Sequence, residues 1–304
     1  LPFIEQQATW EIISKPNDWD EDGTIDFPAM GPYPTIENNR RNYKPWVTEI
    51  PTFRCPSDPG FSPPGAGRTN YGACLGDGTR QLFIGPVNWT APGFDRNNAN
   101  SQETRMACRG VFVPRTDMKF RDILDGLSNT IMFGEIATSL TDDDKRTRLN
   151  RLLDNVETDI KACEKAGHID PVSPQFWCDG TDCPIPTGPG AFPPPGLFSR
   201  GMQWAWAMPF NSCISTTTPP NSELCVDRWE EGGGSLSASS RHPGGVHVVT
   251  ADGAVIFISD SIDAGDQNAE PIHLNNNPGE KSPFGLWGAL GTRAGKEPIE
   301  ENFQ

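Results

Sequence analysis

Apolar positions in this chain fall mostly in short runs with a period of two. Val246, Val248 and Thr250 alternate with His247, Val249 and Ala251, then Asp252-Gly253 intervenes before Val255-Ile256-Phe257-Ile258. Alternation on both sides of Asp-Gly predicts a β-hairpin over 245–258. Gly supplies the positive φ of the turn and Asp caps its amides. Further strands are expected at 69–74, 110–113 and 131–136, and Trp204, Trp206 and Phe210 alternate within 201–215. Helical spacing is rarer. Ile4, Ala8 and Ile12 predict a short helix within residues 1–13. Leu149, Leu152, Leu153, Val156, Ile160 and Cys163 share one face of a long helix expected over about 141–166. Thr141 and Asp144 resemble a capping box at its start, and Gly167 would end it. One helical turn near 119–125 closes at Gly126. The segments 14–50 and 163–225 are broken by prolines, with Pro193-Pro194-Pro195 as a stiff piece, and read as inserted loops. The expectation is one α+β domain over 1–304: an antiparallel sheet, one long helix and large loops.

Composition strengthens the loop-rich picture. Gly (31) and Pro (30) together make up about a fifth of 304 residues, and mean hydropathy is -0.51. The net charge of -15 repels phosphate backbones, so nucleic acid is not an expected partner. No apolar run approaches the length of a membrane span. The chain starts at Leu1 inside an apolar segment, which reads as a processed or incompletely recorded protein.

Eight cysteines are present, at 55, 74, 108, 163, 178, 183, 213 and 225, with no C-x-x-C pair. Disulfides are therefore expected, in a periplasmic, cell-surface or extracellular compartment. Short, turn-rich intervals favour pairing Cys55 with Cys74 and Cys213 with Cys225. The other four have no assigned partner, and zinc binding near Cys178 and Cys183 is the alternative use of the thiols.

The sharpest chemical signal is Asp18-Trp19-Asp20-Glu21-Asp22-Gly23-Thr24-Ile25-Asp26. Carboxylates at loop positions one, three, five and nine, with Gly at six and Thr24 at seven, match a calcium loop. Ala29 stands where an EF-hand carries a bidentate Glu, and Pro16 and Pro28 flank the loop. A calcium loop outside the EF-hand class is the expectation, and a solvated acidic loop is the simpler alternative. His242, His247 and Asp252 could suggest acid–base or metal chemistry. The alternation instead reads His242 as a structural side chain and Asp252-Gly253 as turn residues. No nucleophile elbow, zinc-protease motif or phosphate loop accompanies them, and no enzyme is expected. Nine tryptophans fit either a core or a glycan-stacking surface, and Asn88-Trp89-Thr90 is a formal glycosylation sequon.

Several segments then point to one family. They are Leu1-Pro2-Phe3-Ile4-Glu5-Gln6-Gln7, Cys55-Pro56-Ser57-Asp58, Thr69-Asn70-Tyr71, Asp122 through Thr130 with Gly134-Glu135, Pro219-Pro220-Asn221-Ser222, His242 through Gly253, and Trp287 through Thr292. In this order they resemble the planctomycete prepilin-like family of unknown function, whose C-terminal segment is named for His, nine residues, Asp-Gly. The resemblance implies a headpiece related to type IV pilins and pseudopilins, carried on an N-terminal apolar helix that this sequence lacks. It implies a structural or adhesive role at the cell surface, and self-association or pairing with other pilin-like subunits. Membrane contact would come only through the missing helix. The family supplies no catalytic residues. A glycan- or solute-binding surface module is the second expectation, and a hydrolase built on His242 and Asp252 is a remote third.

Overall fold

The structure is a computed structural model that describes residues 1–34, 42–60, 66–85, 97–150, 155–181, 183–184, 199–227, 232–297 and 299. The first half carries α1 (Gln7–Ile13), α2 (Lys44–Val47), β1 (Tyr71–Cys74), α3 (Ala99–Ala107) and β2 (Ile131–Glu135). The second half carries α4 (Ala162–Lys165), α5 (Pro209–Ser212), β3 (Cys213–Ile214), β4 (Leu224–Val226), β5 (Gly234–Leu236), β6 (Gly245–Thr250), β7 (Val255–Ser259) and α6 (Gly285–Gly291). The class is α+β, as expected. One sheet has strand order β3-β1-β2-β6-β7, antiparallel except for the β1–β3 pair, and β4 pairs with β5 in a second, small sheet. β3 lies inside the segment 163–225, and β4 begins within it.

The predicted hairpin is β6–β7. Asp252 Oδ1 accepts from the Ala254 amide at 3.1 Å and from Thr250 Oγ1 at 2.5 Å, while Gly253 takes φ 91°. These bonds favour the ionised carboxyl and hold Asp252 below the usual carboxylate range. The inward side chains Val246, Val248 and Ile258 join Ile131, Ile214 and, from α6, Trp287 and Leu290 in the first core cluster. Trp287 is fully buried, and its indole N–H donates to the Thr218 carbonyl at 2.8 Å. A register shift in β2 between Ile131 and Phe133 changes the phase of the strand. Ile131 thereby enters the core, while Phe133 packs on Phe112 with ring centroids 5.0 Å apart.

The expected helix over 141–166 does not form. Residues 141–150 are irregular and make isolated bridges, Asp144 to Phe176, Arg148 to Ser199 and Asn150 to Cys225; among the described residues of this span only α4, near the predicted end, is helical. The apolar spacing is real but serves two destinations. Leu149 fills the second core cluster with Leu224, Leu236 and Phe210, whereas Val156 and Cys163 enter a third with Trp177 and Cys225. Asp144 does not cap a helix. Its carboxylate binds Arg146, Gln175 and Arg241. Leu152 and Leu153 lie outside the described residues, as do Pro193-Pro194-Pro195 and the Asn88 sequon. The strand expected at 110–113 is also absent, although the Gly110 and Phe112 amides donate to the Leu75 and Cys74 carbonyls.

The disulfide assignment is corrected too. The bonds join Cys163 to Cys225 and Cys178 to Cys183, while Cys55, Cys74, Cys108 and Cys213 are free. Proximity in sequence misled because β1 buries Cys74 in the sheet core, and β3 runs parallel beside β1. Cys225 instead faces the third cluster, where Cys163 arrives from α4. Two disulfides fit a non-cytoplasmic compartment. Among the described residues no helix is long and apolar enough to cross a membrane.

Candidate functional site

Glu135 ends β2 in the middle of the sheet and is only 7% exposed. Its register partner on β1 is Tyr71. On the other side, β6 presents His247, whose amide donates to Glu135 Oε2 at 2.7 Å and whose Nδ1 lies 3.2 Å from the same oxygen. The second oxygen, Oε1, lies 3.5 Å from His242 Nε2. That same nitrogen stands 3.8 Å from Cys55 Sγ. The ligand atoms of Cys55, Glu135 and His242 thus all lie within 4.8 Å of one another.

Two rigid supports hold the group. The Asn70 side chain accepts from the Cys55 amide at 3.0 Å and donates to Asp58 Oδ2 at 2.8 Å and the Ile136 carbonyl at 3.0 Å. Asp58, itself buried, also accepts from the Thr138 amide and hydroxyl. On the opposite wall, Ser240 Oγ accepts from the His242 amide and donates to the Gly245 carbonyl, and the buried Asp144 carboxylate anchors Arg241. Cys55, Ser57, Asn70, Glu135, Ser240 and His242 line a cleft of about 10 Å³. That volume is about the space of one water or one ion. Tyr71 borders the group: burial pushes its phenol up, and negative charge on Cys55 and Glu135 pushes the same way.

Four of the sequence segments quoted above meet here: Cys55-Pro56-Ser57-Asp58, Thr69-Asn70-Tyr71, Gly134-Glu135 and His242. A family model described as "Protein of unknown function (DUF1559)" matches residues 1–265. The chain belongs to this family. The matched span of this DUF1559 chain contains the whole cleft and the seven strands of the described residues, and ends before α6. No curated protein and no solved structure matches it.

His242 and Asp252, paired in the sequence frame, stand at opposite ends of β6, a strand of six residues spanning about 20 Å. They share no site. His242 instead meets two residues that sequence reasoning had not joined to it, Cys55 and Glu135. The signal available was that all three sit in the segments that carry the family resemblance.

The acidic loop is closed by a bridge between Asn17 and Phe27. It brings the carboxylates of Asp18, Asp20 and Asp22 within 4.8 Å of one another. Asp18 accepts from the Gly23 amide, and Asp22 accepts from the Thr24 amide, so the backbone wraps the carboxylates. Asp26 is diverted, because its Oδ2 accepts from the Trp19 amide at 2.6 Å. The rings proposed for glycan stacking are engaged internally. Trp206 is buried against Phe210, and Trp204 packs on Trp46 and Phe53 with its N–H on the Thr48 carbonyl.

Proposed function

We propose that this chain is the globular headpiece of an exported, pilin-like surface protein with a structural or adhesive role and no enzymatic one. The observation that supports it most is the outer face of the five-stranded sheet. Val255 (65% exposed) and Phe257 (45%) project from the edge strand β7, beside the half-exposed Val249, Phe133 and Tyr71. A sheet normally covers an apolar face with another layer, and the aromatic and β-branched side chains that flank His247 and Glu135 on this face suit an apolar helix. In pilin-like proteins that layer is the N-terminal helix, or a neighbouring subunit in the assembly. The two disulfides and the -15 charge suit an exterior location.

The test is imaging of shed surface material from cells producing the full gene product, by cryo-electron microscopy. The expected result is a repeating subunit, lost in the Val255→Asp/Phe257→Asp double variant. Finding only free periplasmic monomers would refute the proposal. Calcium is proposed to order the acidic loop through Asp18, Asp20 and Asp22, with Thr24 and Asp26 holding the loop closed. Calorimetry on chelator-treated protein should register calcium binding that Asp20→Ala and Asp22→Ala abolish, and an intact protein that gives no heat refutes it.

A further inference from the structure

We propose that Cys55, Glu135 and His242 bind a zinc ion, with His247 as the positioning residue behind Glu135. This does not rest on the headpiece reading. Zinc bonds of about 2.3 Å to sulfur and 2.0–2.1 Å to nitrogen or oxygen put tetrahedral ligand atoms roughly 3.3–3.6 Å apart. Two of the three separations, 3.8 Å from Sγ to Nε2 and 3.5 Å from Nε2 to Oε1, exceed that by only a few tenths of an ångström, and the third, from Sγ to the carboxylate, is within 4.8 Å. The cleft they line, of about 10 Å³, is about the space of one ion.

The same three residue types could make a Cys-His-acid relay, but the geometry opposes it. In such a relay the thiol and the carboxylate contact different ring nitrogens, so that one orients the imidazole while the other gives up a proton. Here both face Nε2. Convergence of a sulfur, a nitrogen and an oxygen on one small space is the arrangement of a metal centre. The donor set of one thiolate, one imidazole and one carboxylate selects zinc over calcium or magnesium, which take oxygen donors only. Glu135 also has its outer arrangement complete. Its Oε2 accepts from the His247 amide at 2.7 Å and faces His247 Nδ1 at 3.2 Å, which turns Oε1 toward His242 and Cys55. Three protein donors leave the fourth position to water. Ligation would also shield Cys55, one of the two free thiols that are not buried, from oxidation.

The experiment uses the full chain, freed of metal by chelation, and follows zinc uptake by calorimetry and cobalt(II) substitution by absorption. The expected result is one ion per chain and an intense thiolate-to-cobalt charge-transfer band. Cys55→Ser should abolish the band, and His242→Ala and Glu135→Gln should each weaken zinc binding by at least about 100-fold. His247→Ala should weaken it by about 10- to 100-fold, as for a residue that orients a ligand. Asp20→Ala should leave it unchanged. Because a variant can fail to fold, a second readout uses the unaltered protein: zinc should slow alkylation of Cys55, measured by mass spectrometry. The proposal is overturned by no zinc uptake, by cobalt binding without the thiolate band, by equal zinc affinity in Cys55→Ser, or by Cys55 found in a disulfide in the exported protein.

Discussion

The Cys163–Cys225 bond spans 62 residues, whereas Cys178–Cys183 spans 5. Chain-entropy reasoning makes these very unequal. A cross-link removes unfolded-state entropy of 2.1 + 1.5R ln n cal/mol/K, which at 25 °C is about 4 kcal/mol for the long loop and about 2 kcal/mol for the short one. The difference, (3/2)RT ln(62/5), is about 2 kcal/mol and is sturdier than either absolute figure. Both sulfurs of the long bond are also fully buried beside Trp177 and Val156, so their loss leaves a small cavity that adds to the difference. The perturbation is Cys163→Ala/Cys225→Ala against Cys178→Ala/Cys183→Ala, each followed by urea unfolding. With a slope of about 3 kcal/mol/M, the midpoint should fall by roughly 1.4 M in the first variant and 0.7 M in the second. Equal losses, or a larger loss in the second variant, would refute the reasoning. So would a peptide map of the unaltered protein that joins Cys213 to Cys225.

Asp144 is fully buried and holds Arg146 and Arg241 through hydrogen-bonded ion pairs. Asp144→Asn removes the buried carboxylate that is hydrogen-bonded to both guanidinium groups and should cost about 3–5 kcal/mol in urea unfolding. Burial alone would raise the Asp144 carboxyl, but the hydrogen bonds and charge of Arg146 outweigh it and hold the group low. Its stabilisation is therefore present above the ordinary Asp value of about 3.9 and lost as pH falls through the lower folded value. The acid branch of a stability–pH curve should be flatter in Asp144→Asn than in the unaltered protein. Gly110 packs backbone to backbone, and a Cβ there would meet Gly76 N and the Leu75 carbonyl carbon at 2.3 Å. Gly110→Ala should cost at least about 1–3 kcal/mol, read from a thermal melt, and a neutral result would dismiss this contact. Burial pushes the Cys74 and Cys108 thiols up to about 12 and Cys213 to about 11. In the folded, metal-free protein only Cys55 should react with iodoacetamide at mildly alkaline pH, and labelling of Cys74 in the native state would contradict the buried sheet core.

Local patterns were legible wherever one residue's neighbours in sequence decide its conformation. The hairpin followed from alternation around Asp252-Gly253, and β1 and β2 from short runs; a helix does form within 1–13, but α1 starts at Gln7, after Ile4, and buries Ile13 rather than the expected Ile4, Ala8 and Ile12 face. The acidic loop was legible for the same reason, since its carboxylates and the Gly23 turn are adjacent in the chain. The long helix failed because periodicity records that Leu149 and Val156 are buried, not that they are buried together. Separate clusters draw them apart, and bridges to Phe176, Ser199 and Cys225 replace helical hydrogen bonds.

By itself the sequence determined the class, the turn at Asp252 and the acidic loop, because composition and short-range spacing act locally. Tertiary structure alone decided which cysteines bond and what His242 touches. Those outcomes depend on contacts between residues far apart in the chain. Cys55 and His242 lie 187 positions apart, and Glu135 reaches both only because β2 is central in the sheet. No local propensity encodes such a meeting, since it is set by strand order and by the buried Asn70–Asp58 and Ser240 supports that hold the two loops against Glu135.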